Sequence, residues 1–452
     1  MPKYQRVSDE KFGIRTRIRG LPVPLQGNIE RADVKECSIG ADVPVYFIDN
    51  QRFFGREGVY GYPDDDERFI FFSRALLSML PALDWQPDVV HCNEWHTAII
   101  PNWLKTIYAE HPSAGSMATV FTVHNLAYQG IFGHRVLEIA GIGSFGFVYA
   151  DQGGEGQAVG LLGRGLQFAD AISTVSEQYA REIQTPEFGH GMHEVLRQRR
   201  DRLSGILNGL DYDELDPAQD VHIAERFDAS TLDRRPLNKT ALQAEAGLPI
   251  DANAPLIGMI TRLTDQKGLD ILSQALDGLL AQPLQMVILG TGDQRYHELL
   301  SAAVKRHPNL AVFLTFSTPL AQKIYAGSDL FLMPSRLEPC GLGQLIAMRY
   351  GSVPIVRSTG GLADTVLDYD PSSGEGSGFV FQRYASMDLF AAVIRAIENY
   401  KQRDAWRRLM EYDMRLDFSW TVSAQKYVDV YHRAMSWRRQ ETSTPDAMPQ
   451  PA

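Results

Sequence analysis

The sequence predicts an α/β protein built from two parallel-sheet domains, and three observations predict it. Short β-branched runs recur, each followed by helical periodicity: "PDVVHC", "ATVFTVHN" and "AISTVS" within 87–196, and six more within 255–400. Such alternation is the pattern of βα units, whose strands are buried on both faces and read as near-continuous apolar runs. At 452 residues the chain is too long for one growing core. Between the two zones, "GLDYDELDPAQD" at 209–220 carries turn formers and no periodicity, which places a linker there. The expected division is 1–208, 209–420, a helix over 421–438 and a disordered tail over 439–452.

Taken in order, the elements begin with an irregularity. Residues 1–40 are charged and turn-rich ("MPKYQRVSDEKFG"), with a weak alternating strand pattern in "RTRIRGLPVPL". A parallel α/β domain ordinarily opens with an apolar strand, a glycine-rich turn and a helix. None of these precedes "PDVVHC" here: either the fold lacks that unit, or the first domain is truncated at its N-terminus. The second zone supplies "PLIGMITR", "LQMVILGTGD", "LAVFLTF", "DLFLMPS", "SVPIVRS" and "GSGFVF" as strands. Residues 424–437 read as a last helix, and "ETSTPDAMPQPA" is polar and proline-rich.

Composition narrows the function classes. The formal charge of −11 argues against a broad positive surface for nucleic acid, while a local basic pocket stays open. There is no 18-residue apolar run and no signal-peptide pattern, so no membrane partner is expected. Cys37, Cys92 and Cys340 show no metal-like pairing and fit a reducing compartment. The expectation is a soluble, cytoplasmic protein.

Strand ends carry the candidate chemistry. In "GMITRLTDQKGLD", Arg262 and Lys267 follow a strand and precede a helix, where two cations can neutralise a diphosphate. The plain alternative is a solvated loop. "ILGTGDQRY" is a glycine turn without a full dinucleotide fingerprint, and serves equally as a structural turn. In "SRLEPCGLGQ", Glu338 can accept hydrogen bonds from sugar hydroxyls, and the amides of Gly341, Leu342 and Gly343 can face an anion; helix capping by Glu338 is the rival. Cys340 has no histidine near it in sequence and is not expected to act as a nucleophile. "RSTGGLADTV" places Gly360 and Gly361 at a fourth turn, where main-chain amides can crowd a phosphate or sugar.

The first domain offers "HCNEWHT" and "FTVHNLAYQG". His124 and Asn125 present paired donors and acceptors suited to a polyol. Trp95 and Tyr128 can stack on a sugar ring, with aromatic core packing as the rival. His91 and His96 lack a convincing ligand set, so no metal is expected.

These blocks together resemble the bacterial and plastid glycogen and starch synthases, retaining glycosyltransferases with two facing Rossmann-like domains (the GT-B arrangement). The resemblance runs over nearly all of 80–435, through "PDVVHCNEWHT", "TVHNLAYQGIF", "ADAISTVSEQYAREI", "ILNGLD", "TRLTDQKGLD", "SRLEPCGLGQ" and "TGGLADTV". It implies a cleft between the domains and transfer of glucose from ADP-glucose to the non-reducing end of an α-1,4-glucan. By motif, Arg262 and Lys267 would hold the donor diphosphate, and Glu338 would sit against the donor sugar. His124 would bind the glucose hydroxymethyl region, with Asn125 beside it. The Gly341–Leu342 and Gly360–Gly361 amides would contact the donor. Glu94, Trp95 and Tyr128 would lie on the acceptor side, and the last helix would cross back to the first domain. The implied partners are a nucleotide sugar and a glucan, with no cofactor.

Departures from the family pattern bear on this expectation. Its N-terminal K-x-G-G-L segment is absent, and "MPKY" resembles an internal strand end, so the natural chain is expected to start upstream. The rivals are a truncated glucan-binding or regulatory homologue, and a transferase using UDP-glucose or another acceptor. Glu94 stands where the family commonly has Asp, and Gly163 (with Arg164 next to it) replaces a family lysine. Leu215 replaces a Trp, and the glycine-rich stretch 143–160 matches poorly.

Overall fold

The structure, a computed structural model, describes residues 1–40, 42–145 and 158–443. The chain divides into two compact units. One comprises Met1–Thr174, Arg181–Ser204 and Tyr427–Ala452; the other comprises Val175–Ala180 and Gly205–Lys426.

In the first unit, β1 (Arg15–Leu25), β2 (Asn28–Ile39) and β3 (Val43–Asp49) form an antiparallel sheet in the order β1-β2-β3. Residues that read as turn-rich are therefore long strands. Their pattern is legible in hindsight: Leu21, Val23 and Leu25 point inward while Pro22 and Pro24 alternate outward. Proline is tolerated there because β1 is an edge strand. A register shift after Ile18 interrupts the alternation, and Asp33 accepts the freed N–H of Gly20 at 2.8 Å.

The expected parallel layer follows. β4 (Val89–Asn93), β5 (Ala118–Val123), β8 (Ala171–Thr174) and β9 (Leu203–Gly205) lie in the order β4-β5-β8-β9. Every residue of β5 is buried, as a strand covered on both faces requires. β6 (Ile131–Gly133) and β7 (Ala158–Gly160) make a small antiparallel pair. Most of the glycine-rich stretch, 146–157, lies outside the described residues, as does the tail from 444 onward. The last helix, Trp420–Ser443, runs past the expected end at 438. Arg438 is buried and donates to Gly115 O and Leu104 O, and Glu441 meets Lys105 at 2.5 Å. Those anchors hold turns that composition alone marks as tail.

The second unit realises all six strands read from the sequence. β10 (Leu256–Ile260), β11 (Gln285–Leu289), β12 (Leu310–Phe313), β13 (Leu330–Met333), β14 (Val353–Arg357) and β15 (Phe379–Phe381) form one parallel sheet, ordered β12-β11-β10-β13-β14-β15. Counted from β10 this is the doubly wound order 3-2-1-4-5-6. Its direction reverses between β10 and β13, and ligands bind outside the carboxyl ends of the strands at such a reversal. The helix Leu269–Leu280 packs its apolar stripe (Leu272, Leu276 and Leu279 among it) into the core formed with β10 and β11.

Candidate active site

The loops leaving β10 and β13 enclose a cavity of about 260 Å³ at the reversal point. Arg262 and Lys267 come from the first loop; Ser335, Glu338 and Leu342 come from the second. Lys267 Nζ lies 2.8 and 2.6 Å from the two carboxylate oxygens of Glu338, and Ser335 Oγ donates to Glu338 Oε2 at 2.8 Å. Glu338 is buried, so this pairing offsets the cost of desolvating its charge. Arg262 is exposed, and its guanidinium forms no side-chain hydrogen bond or ion pair among the described residues. A cation free to meet an anion thus stands beside one that is already compensated.

Backbone contacts fix these loops to each other. Gly268 has φ +79°, and a Cβ there would stand 2.1 Å from Pro334 O. Arg336 N–H donates to Gln266 O at 2.9 Å. A Cβ on Gly361 would lie 1.8 Å from Cys340 O, which brings the β14 turn against the Glu338 loop. The Gly361 N–H donates to Glu338 O and Pro339 O, both at 3.1 Å. That is a correction to the sequence reading. The amide of Gly361 is committed within the protein, and the glycine pair Gly360–Gly361 is required by close packing. The N–H groups of Gly341 and Leu342 have no internal acceptor among the described residues, and Leu342 borders the cavity. Cys340 is buried, and desolvation pushes its thiol up to about 12, which keeps it un-ionised.

An adjoining cavity of about 360 Å³ shares Ile260, Thr261, Arg262 and Tyr325 with the first. It is lined mostly by apolar groups, with Leu289, Gly290, Ala321 and Ile346 in its wall and Phe316 at its rim. Phe316 is 87% exposed, the extreme for a large apolar side chain in the described residues, and is free to stack on a planar ligand. Sequence reasoning missed it: "LTFSTP" reads as the end of a strand running into a helix.

In the first unit the "HCNEWHT" and "TVHN" turns are joined through Glu94. One carboxylate oxygen, Oε1, accepts the backbone N–H of His124 at 2.5 Å and of Asn125 at 3.3 Å. Glu94 has φ +63°, a conformation an L residue adopts at a cost, and burial raises its carboxyl to about 7. His124 Nε2 pairs with Asn93 Oδ1 at 2.9 Å, and burial lowers its pKa below the usual imidazole value. Glu94 therefore positions the turn that presents His124 and Asn125.

Trp95 requires a second correction. It is buried, stacks on His96 with centroids 3.9 Å apart, and leaves no room for a Cβ on Gly130, which would stand 2.5 Å from its ring. With so little of it exposed and these neighbours against it, Trp95 packs as the core alternative has it. Tyr128 is half exposed. His91 is spoken for by Tyr431 Oη at 2.9 Å and Thr122 Oγ1 at 2.6 Å.

A doubly wound sheet with a cation-bearing cavity at its reversal, following a second parallel α/β unit, is the build of a GT-B glycosyltransferase. The starch synthase catalytic domain pattern matches residues 1–198, and that of the group 1 glycosyl transferases matches 243–409. The chain is 46% identical over 444 residues to the glycogen synthase of Desulforudis audaxviator, covering 96% of this chain and 87% of that protein. Its identity to the Moorella thermoacetica glycogen synthase is 45%, covering 97% and 90%. The catalytic domain of starch synthase IV from Arabidopsis thaliana, solved bound to ADP and acarbose, superposes with a TM-score of 0.89 at 35% identity, covering 96% of this chain and 91% of that one. The chain belongs to the glycogen synthase family.

Proposed function

We propose that this protein transfers glucose from ADP-glucose to the non-reducing end of an α-1,4-glucan, retaining the configuration of the transferred sugar. One observation carries the reading: a cavity holding Arg262 and Lys267 runs into an apolar cavity rimmed by Phe316. Cations beside an aromatic-edged apolar pocket match a diphosphate joined to a nucleoside. The ADP and acarbose bound to the starch synthase IV domain agree with a nucleotide and a glucan-like ligand.

Arg262 and Lys267 neutralise the diphosphate and the charge that grows on it as the glycosidic bond breaks, the kind of term that usually dominates such catalysis. Glu338 holds Lys267 in place, and its remaining lone pairs accept from sugar hydroxyls. The Gly341 and Leu342 amides supply further donors to the phosphate. His124, fixed by Glu94 and Asn93, is assigned to the transferred glucose, and Tyr128 to the acceptor. Retention without a protein nucleophile follows if the leaving phosphate assists attack from its own face. The test is incorporation of labelled glucose into glycogen from ADP-glucose and from UDP-glucose, with the new linkage read by amylase digestion. A strong UDP-glucose preference overturns the choice of donor. Glycogen co-sedimentation without transfer overturns the enzymatic reading.

A further inference from the structure

A separate cavity of about 410 Å³ lies at the other end of the second unit's sheet. Its wall includes Asp329, which immediately precedes β13, whereas the donor cavity lies beyond the end of that strand. No residue is shared between the two.

Three cations gather there around one phenol. Lys239 Nζ donates to Tyr400 Oη at 3.0 Å, and the Arg403 guanidinium lies 4.0 Å from the Tyr400 ring centroid. Arg235 also lines the cavity, though only 4% exposed, and Asp329 is the foremost charge acting on it. The carboxylates nearby only partly compensate them. Asp329 is taken by Lys239 at 2.7 Å, and Asp233 by a further cation, Arg407, at 2.5 Å. Asp404 is the third carboxylate of the wall, and it has no ion pair among the described residues.

One donor at the wall is left without an acceptor. Arg235 spends Nε on Tyr350 O and Nη2 on Tyr325 O and Ser328 O, but Nη1 has no partner among the described residues. A guanidinium N–H without an acceptor at a cavity wall is free to take one from a ligand. Desolvation holds Arg235 down at about 10, the direction a neighbouring anion would reverse.

We propose that this cavity is a binding site for a phosphate group, free or carried by a small metabolite, with Arg235 and Arg403 as its donors. A tetrahedral oxyanion offers several acceptors at once, and arginine is the side chain best matched to it. Leu232, Pro236 and Met410 in the same wall leave apolar room for a short carbon skeleton.

The test is calorimetric titration of the full chain carrying Arg262→Ala, Lys267→Ala and Glu338→Gln, which removes the donor-site cations from the measurement without stranding the buried Glu338 charge. Inorganic phosphate and glycerol 3-phosphate are the two probes. Saturable binding of either is expected, weakened about tenfold by adding Arg403→Ala and further by adding Arg403→Glu instead, which places a like charge beside the anion. Arg403 is exposed, so its removal leaves the fold intact, as melting of the free protein will show. Binding of both probes, or of one alone, supports the site and identifies the source of the phosphate. No binding at tens of millimolar, or binding indifferent to both added substitutions, overturns it.

Discussion

Replacing Lys267 by alanine tests the donor site most directly, because the structure predicts two separable effects. The first is loss of a cation at the diphosphate. Two unit charges about 4 Å apart interact by about 4 kcal/mol at an effective dielectric of 20. Part of that is already spent on Glu338, so about 3 kcal/mol of transition-state stabilisation is a reasonable share, or about a hundredfold in kcat/KM. The second is stranding of Glu338, a buried carboxylate left with Ser335 Oγ as its one side-chain partner among the described residues. Breaking a buried pair costs about 3–5 kcal/mol, and the 16% exposure of Lys267 pulls the figure toward its lower end. The double variant Lys267→Ala/Glu338→Gln separates the two: it removes the stranded charge but leaves the diphosphate without its cation. Melting temperature is therefore expected to recover in the double variant while kcat/KM for ADP-glucose does not. A rate loss below about threefold for Lys267→Ala, or recovery of rate in the double variant, refutes the assignment.

Other expectations are briefer. Phe316→Ala should weaken ADP binding by about 1–3 kcal/mol with melting unchanged, as loss of a stacking face requires; equal affinity by calorimetry removes the base from that cavity. Gly361→Ala should lower the melting temperature and activity together, since its Cβ would meet Cys340 O at 1.8 Å; a fully active, unshifted variant contradicts the packing. The raised carboxyl of Glu94, about 7 against 4.5, means the folded state binds the extra proton, so its contribution is complete below 4.5 and is lost as pH rises through 7. Glu94→Gln, which keeps the acceptor for His124 N–H, should gain stability over the parent across that window by up to ~3 kcal/mol. His91, lowered to about 4 by burial, opposes this trend in the parent as pH falls from 6.5, so only the difference between the two proteins isolates Glu94. A difference that does not vary with pH would rule the assignment out.

The second unit was the more legible half. Buried parallel strands announce themselves as apolar runs, and the turns that follow carry glycines because backbones meet there, so β10 to β15 and the Arg262, Lys267 and Glu338 loops all showed in one dimension. What the sequence concealed depends on three-dimensional neighbours. Trp95 and Tyr128 look alike as aromatics beside polar residues, yet Gly130 covers one while the other is half exposed. Glu94 reads as a ligand carboxylate until its oxygen is seen to hold two main-chain amides. The strands β1 to β3 were masked by their own prolines and charges, which an edge strand tolerates on its outward face. Phe316 carried no signal, since a phenylalanine at a strand end is ordinarily core.

The interlocked glycine turns around Glu338 have a consequence for anyone wishing to change the donor. Gly268 and Gly361 each admit a neighbouring carbonyl where a side chain would stand, so the phosphate half of the cavity resists alteration one residue at a time. Phe316 itself carries no such constraint: its side chain is almost wholly in solvent and can be exchanged without disturbing a neighbour. A library directed at new nucleotide donors would therefore diversify Thr315 and Phe316, keep Ser317 as the cap that accepts the Leu320 N–H, and hold 262–268 and 335–343 constant, treating the first as a replaceable fitting and the rest as the fixed socket.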